Sequence, residues 1–305
     1  VCKSIYLQVS RTIVLYRVTR LSNRAQPKMK IAIIVNHGLD ILKDSTEEEK
    51  IASVVECTER IKLRIFKQLD CDYDVHLRLN YTGELTKYKL DQIAEISTYP
   101  NIKSISIVNK AYVVDELSKF VKIPGGLSDI VSDQRFQAHM IQHFVFFNTA
   151  INLLHADYDY YYRLRPDTIM SKNFNIQRVI NEFPRGHLGD DNIFITPDMH
   201  KVPSKIRPLN IFDQSFICDN EFIKQTKINF TEWLTKGLDQ VIQCRLSSLT
   251  ETEMLYVIAE TFLGDLLLIN GSGCQQPRDY ECIIHRFFIR NSTISETLNL
   301  NENFN

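Results

Sequence analysis

The order of elements at the start of this chain restricts its fold more than any composition figure does. Ile31 to Val35 is a continuous apolar run, the pattern of a strand buried on both faces. Asn36-His37-Gly38 is expected to break it. After Asp44-Ser45-Thr46, which offers helix caps, Ile51, Val54, Val55, Ile61 and Ile65 recur at helical spacing. Asp74 to Leu79 alternates as a second strand, and Leu85 to Ile96 reads as a second helix. Ile102 to Val108 is a third strand, with Ile102, Ile105 and Ile107 as its expected core face. The sequence βαβαβ, with crossovers of this length, requires parallel strands and right-handed connections. The predicted class is therefore α/β, one domain with a Rossmann-like, mostly parallel central sheet flanked by helices.

The chemistry concentrates in Ala156 to Met170. A long amphipathic pattern over Ser132–Leu154 stops just before it, and Tyr160, Tyr161 and Tyr162 then favour a strand. Pro166 cannot donate to a ladder, so the strand ends near it. Arg163, Arg165 and Asp167 thus collect at the C-terminal end of a strand, the end where open α/β sheets bind ligands. Strand alternation puts Arg163 and Arg165 on one face. Two guanidinium groups and a carboxylate fit an anion bound with a metal, or an anion carrying hydroxyls. A surface ion pair is the plain alternative.

Several classes are disfavoured. With a net charge of −1 over 305 residues, no strongly basic surface points to nucleic acid. The seven cysteines are scattered without a C-x-x-C, so neither a zinc site nor a disulfide framework is indicated, and a reducing compartment follows. The glycine at 38 stands without the G-x-G-x-x-G pattern, against a dinucleotide-binding dehydrogenase or methyltransferase. Pro124-Gly125-Gly126 lacks the spacing and lysine of a P-loop and reads as a turn. His139 and His143 lie four apart on the long helix without H-E-x-x-H, as solvated or hydrogen-bonded histidines would. Ser4 to Val18 is too short and too charged to span a membrane.

Further on, Ile211 to Cys218 is strand-like with Asp213-Gln214 inside it, and a carboxylate there is costly unless paired or facing a cleft. Helices are expected at Glu221–Lys227, Thr231–Gln243 and from Thr250 to Phe262, with closing strands at Leu266–Ile269 and Cys282–Ile289. Met29 reads like a natural start, so residues 1–28 are expected to be a non-native extension, residues 29–290 the domain, and residues 291–305 a polar tail.

The run Tyr158-Asp159 through Arg163, Arg165 and Asp167, followed by Asp213-Gln214 and then Glu253-Met254-Leu255, resembles a group of glycosyltransferases that includes the WavE-like proteins of polysaccharide synthesis and related plant and viral proteins. The order holds from Met29 to about Ile269, although the His-Pro that precedes the helix glutamate in that group is absent here. The resemblance implies a GT-A fold and a nucleoside-diphosphate sugar donor, a UDP-sugar first, with a glycan hydroxyl as acceptor. It implies a divalent metal, Mn²⁺ or Mg²⁺, held through Asp167, or its partial replacement by Arg163 and Arg165. Asp213 is the first candidate for a general base and Glu253 the second. Asn36, His37 and Gly38 are candidates for the nucleobase lining by analogy of fold. A cytoplasmic location, with peripheral membrane association as the variant, completes the expectation. The alternative is a non-catalytic glycan- or nucleotide-binding protein on the same scaffold.

Overall fold

The computed structural model describes residues 29–39, 47–121, 134–170, 174–182, 194–195, 215–246, 262–272, 274–275 and 282–284. The extension 1–28 and the tail 291–305 lie outside the described residues, as does Pro124-Gly125-Gly126.

Strand β1 (Lys30–Gly38) lies inside the sheet, and its residues from Ile31 onward are buried. Asn36-His37-Gly38 does not break the strand as expected, because β1 continues in register with β2 (Asp72–Tyr81) as far as Gly38 opposite Asn80. Polar residues are tolerated inside a buried strand when their side chains find partners, and Asn36 does. Helix α1 (Glu47–Arg64) returns the chain, burying Val54, Cys57 and Ile61 against the sheet. Val55 is 40% exposed and belongs to the solvent face. Helix α2 (Lys87–Ile96) starts at Thr86, whose side chain accepts from the Lys89 backbone.

Strand β3 (Ile102–Asn109) follows, and here the expected core fails. Ile105 is 49% and Ile107 38% exposed. β3 lies at the end of the sheet and pairs with β2 alone among the described strands. A bulge between Val75 and His76 offsets its register. Helix α3 (Lys110–Ser118) and the long helix α4 (Gln134–Asn152) then cover the opposite face.

Strand β4 (Tyr160–Leu164) pairs parallel to β1 on the side away from β2. Short strands β5 (Thr168–Met170), β6 (Phe194–Ile195), β7 (Phe216–Asp219), β8 (Cys274–Gln275) and β9 (Cys282–Ile284) follow, with helices α5 (Ile176–Glu182) and α6 (Asn220–Leu246). The seven-stranded sheet has the order β3-β2-β1-β4-β7-β6-β8, while β5 and β9 form a small separate ladder. Among the described strands of the large sheet, only β7 runs against its neighbours, antiparallel to both β4 and β6. The architecture is the expected mixed α/β sheet, mostly parallel and flanked by helices.

Two corrections concern the second half. The helices expected on either side of residues 228–230 are one continuous helix, α6. Leu266 to Ile269 is not a strand, because residues 262–270 are helical. Phe262, Leu263, Leu266 and Leu267 are buried, a spacing that one helix face explains. A short apolar run does not distinguish the two states by itself.

The sheet separates two cores. One, against α4 and α6, is aromatic: Phe144, Phe147, Phe216 and Trp233 pack there, and Trp233 stacks on Phe262 at 4.1 Å. The other sets Ile31, Ile33, Val35, Tyr162 and Leu164 against α1. No described helix is long and apolar enough to cross a membrane.

Candidate functional site

Strand order reverses between β1 and β4. From β1 the chain builds outward to β2 and β3, then crosses back to place β4 on the other side. In open α/β sheets the crevice at the carboxyl ends of two such strands is the ligand position. Asn36, His37 and Gly38 end β1 there, while Arg163 and Leu164 end β4 and lead into Arg165.

Asn36 and Arg163 meet beneath that crevice. Arg163 Nε donates to Asn36 Oδ1 at 3.1 Å, and Asn36 Nδ2 donates to the Gln142 backbone oxygen at 2.7 Å and to Gln142 Oε1 at 3.1 Å. Gln142 Nε2 donates onward to Asn80 Oδ1 at 3.3 Å. The chain of amides ties β1, β2 and α4 together at the carboxyl ends of the strands. Arg163 Nη1 lies 3.1 Å from His143 Nδ1. A guanidinium can only donate, so Nδ1 accepts and the ring carries its proton on Nε2. The guanidinium also lies over the Phe216 ring, 5.6 Å from its centroid. Arg163 is 1% exposed, so it shapes the crevice from below.

Arg165 and Asp167 form a second unit. Pro166 occupies a tight turn in which the Thr168 backbone N–H donates to the Arg165 carbonyl at 3.2 Å. Within it Arg165 Nε donates to Asp167 Oδ1 at 2.8 Å and Nη2 to Oδ2 at 2.6 Å, a two-bond fork between buried partners. The strand alternation that relates Arg163 to Arg165 stops at Leu164, and their contacts diverge. Arg163 engages α4, whereas the Asp167 charge acts on Cys57 of α1, whose thiol is pushed up by burial first and by Asp167 second. The structure thus joins Asn36 to Arg163 and Arg165 to Asp167, as two pairs.

The carboxylate pairs Asp157/Asp159 and Asp72/Asp74 sit at the other edge of the sheet, where their strands begin. Asp159 accepts from the Lys30 backbone at 2.8 Å, and Asp74 accepts from Tyr158 Oη at 2.7 Å. Asp213 and Glu253 lie outside the described residues.

A divalent cation does not fit Asp167 as it stands. Both of its oxygens accept from Arg165, and among the described residues no group of three His, Cys, Asp or Glu is placed to hold a metal ion. Gln142 and Asn80 were not expected from sequence to be site residues, and His143 was read only as a solvated or hydrogen-bonded residue. All three are buried, and His143 is hydrogen-bonded. The available signal was the pair Gln142-His143 set between Met140, Ile141 and Phe144 in an otherwise apolar stretch of α4.

No protein-family model matches this chain, and no curated protein matches it in sequence. Solved structures similar to it include an active-site mutant of LgtC, at 11% identity and a TM-score of 0.40, covering 76% of this chain and 70% of that one. Another is the glycosyltransferase GlyE of Streptococcus pneumoniae TIGR4, at 10% identity and a TM-score of 0.38, covering 89% of this chain and 50% of that one. A third is the mannosyltransferase Ktr4p of S. cerevisiae, at 13% identity and a TM-score of 0.27, covering 92% and 62%.

Proposed function

We propose that this protein is a glycosyltransferase that moves a sugar from a nucleoside-diphosphate donor, a UDP-sugar first, to a glycan hydroxyl. The observation that carries the proposal is the crevice at the strand-order reversal, where polar and cationic side chains end both β1 and β4. The resemblance of the Tyr158-to-Asp167 segment to the WavE-like group supports the same reading.

In this proposal Asn36, His37 and Gly38 border the nucleobase, with the amide chain through Gln142 fixing Asn36. Arg165 meets the diphosphate charge, and Asp167 holds its guanidinium plane. Arg163 is a positioning residue. Asp213, two residues before Ser215, is the proposed general base, and Glu253 the second candidate. Mn²⁺ or Mg²⁺ at Asp167 requires that carboxylate to release Arg165.

Calorimetric titration with UDP, GDP and their sugars, in Mn²⁺ and in EDTA, tests the proposal. Binding of one nucleotide with equal strength in EDTA supports the arginine. Binding that needs Mn²⁺ restores the metal at Asp167. Failure to bind any nucleotide overturns the reading. The mutual neutralisation of Arg165 and Asp167 favours a second reading, a non-catalytic binder. Nucleotide-sugar binding without hydrolysis or transfer is its signature.

A further inference from the structure

A half-open cleft of about 500 Å³ lies on the α4 face of the sheet, between β2, β3, α3 and α4. Its floor is unusual for a sheet face under two helices. Strand alternation sets His76, Arg78, Asn80, Ser104, Ser106 and Val108 on this face, and Leu79 and Ile105 also reach the lining. Polar groups beneath helices weaken a core unless something pairs with them.

We propose that this cleft binds a small hydroxylated anion, a sugar carboxylate or sugar phosphate, with Arg78 meeting the charge. Arg78 is half-buried, and its guanidinium makes one hydrogen bond among the described residues, Nη1 to the Leu77 carbonyl at 3.0 Å. No ion pair involves it among those residues. Burial lowers its pKa, a sign that the cation is held out of water without compensation. An anion supplies that compensation through a two-bond fork.

The hydroxyl and amide groups stand where a sugar would need them. Ser106 is in register with Arg78 on the neighbouring strand, and Ser104 lies on the same face. Ser104 Oγ is held by His76 Nδ1 at 2.8 Å. Asn148 lines the opposite wall from α4, with Asn152 one turn further along. Neither Ser106 nor Asn148 has a side-chain hydrogen bond among the described residues. Tyr112, 68% exposed, contributes an aromatic ring to the lining. Glu116, the acid in the lining, is paired with Lys119 at 2.6 Å. An apolar wall with a few convergent polar groups is the make-up of a small-ligand site. Asn80 lines the cleft and also accepts from Gln142 Nε2 in the amide chain under the transfer crevice, so the two sites adjoin while Arg78 belongs to the cleft alone.

The test is calorimetry on the full chain with glucuronate, glucose 6-phosphate and, as the neutral control, glucose. At least one charged sugar should saturate, about tenfold tighter than glucose. Whichever of the two saturates identifies carboxylate or phosphate as the anion. Arg78→Gln should weaken that binding about tenfold while leaving UDP binding as in the unsubstituted protein. Asn148→Leu, which keeps Arg78, should weaken it by a smaller factor and carries the test if Arg78→Gln does not fold. Glucose binding as tightly as the charged sugars overturns the proposal, as does unchanged affinity in Arg78→Gln. Absence of saturation by either charged sugar at about 10 mM overturns it as well. Displacement of the bound sugar by UDP would place it in the other crevice and equally refute the assignment.

Discussion

Lowering the pH should destabilise this protein through His76, by an amount that the structure bounds. His76 is 2% exposed, accepts or donates to Ser104 at 2.8 Å and Tyr158 at 3.1 Å, and titrates at about 4 instead of 6.5. Burial is the main cause, followed by Arg78; Lys103 and Lys30 act in the same direction and Asp74 opposes them. Tyr158 donates its proton to Asp74, so it accepts from His76 Nε2. With its pKa lowered to about 4 the ring is neutral near pH 7, and Nδ1 then accepts from Ser104. The unfolded chain takes up a proton here below about pH 6.5, whereas the folded protein resists until about pH 4. Stability from this residue is thus fully present above the unfolded value and lost as pH falls through the folded one. The whole gap corresponds to about 3 kcal/mol, of which about 2 kcal/mol disappears between roughly pH 7.5 and pH 5. Carboxylates add their own slope, so the comparison is with His76→Gln. Urea unfolding at the two pH values should show the unsubstituted midpoint falling further than the variant's, by about 0.7 M for a slope of about 3 kcal/mol/M. Equal losses in both proteins would refute the reasoning.

Arg165→Ala should cost about 3–5 kcal/mol in urea unfolding, because Asp167 is left buried without its fork; a loss below about 1 kcal/mol would mean that water already reaches the pair. Gly237→Ala should cost about 1–3 kcal/mol, since its new methyl group runs into the Phe262 ring. Trp233, the only tryptophan, stacks on that ring and should report the shift by fluorescence. Asp213→Asn should leave donor binding intact and lower kcat, as measured by transfer kinetics beside calorimetry.

Much of the fold was legible because parallel strands buried on both faces are written as unbroken apolar runs. Ile31–Val35 and the tyrosines of β4 needed no tertiary knowledge. The exposure of Ile105 and Ile107 did, because an isoleucine-serine alternation looks the same in an edge strand as in an inner one. Asn36 was legible as a residue near the site but not as part of the strand, since its partners Gln142 and Arg163 are more than a hundred residues away. The Arg165–Asp167 fork was foreseen only as a surface alternative. The turn at Pro166 that closes it within the interior depends on packing against α1, which local sequence does not encode.

The reversed strand β7 has an electrostatic consequence. Because it runs against β4, it ends where β4 begins, with Asp219 opposite Tyr160. The longest described helix, α6, therefore starts at the far edge of the sheet, where the Asn220 backbone donates to the Asp159 carbonyl and Asp219 caps Phe222. Its macrodipole thus presents its positive end away from the crevice between β1 and β4. An anion bound there gains nothing from α6, the helix that follows β7, and must be met by side chains and by the helices that follow the parallel strands.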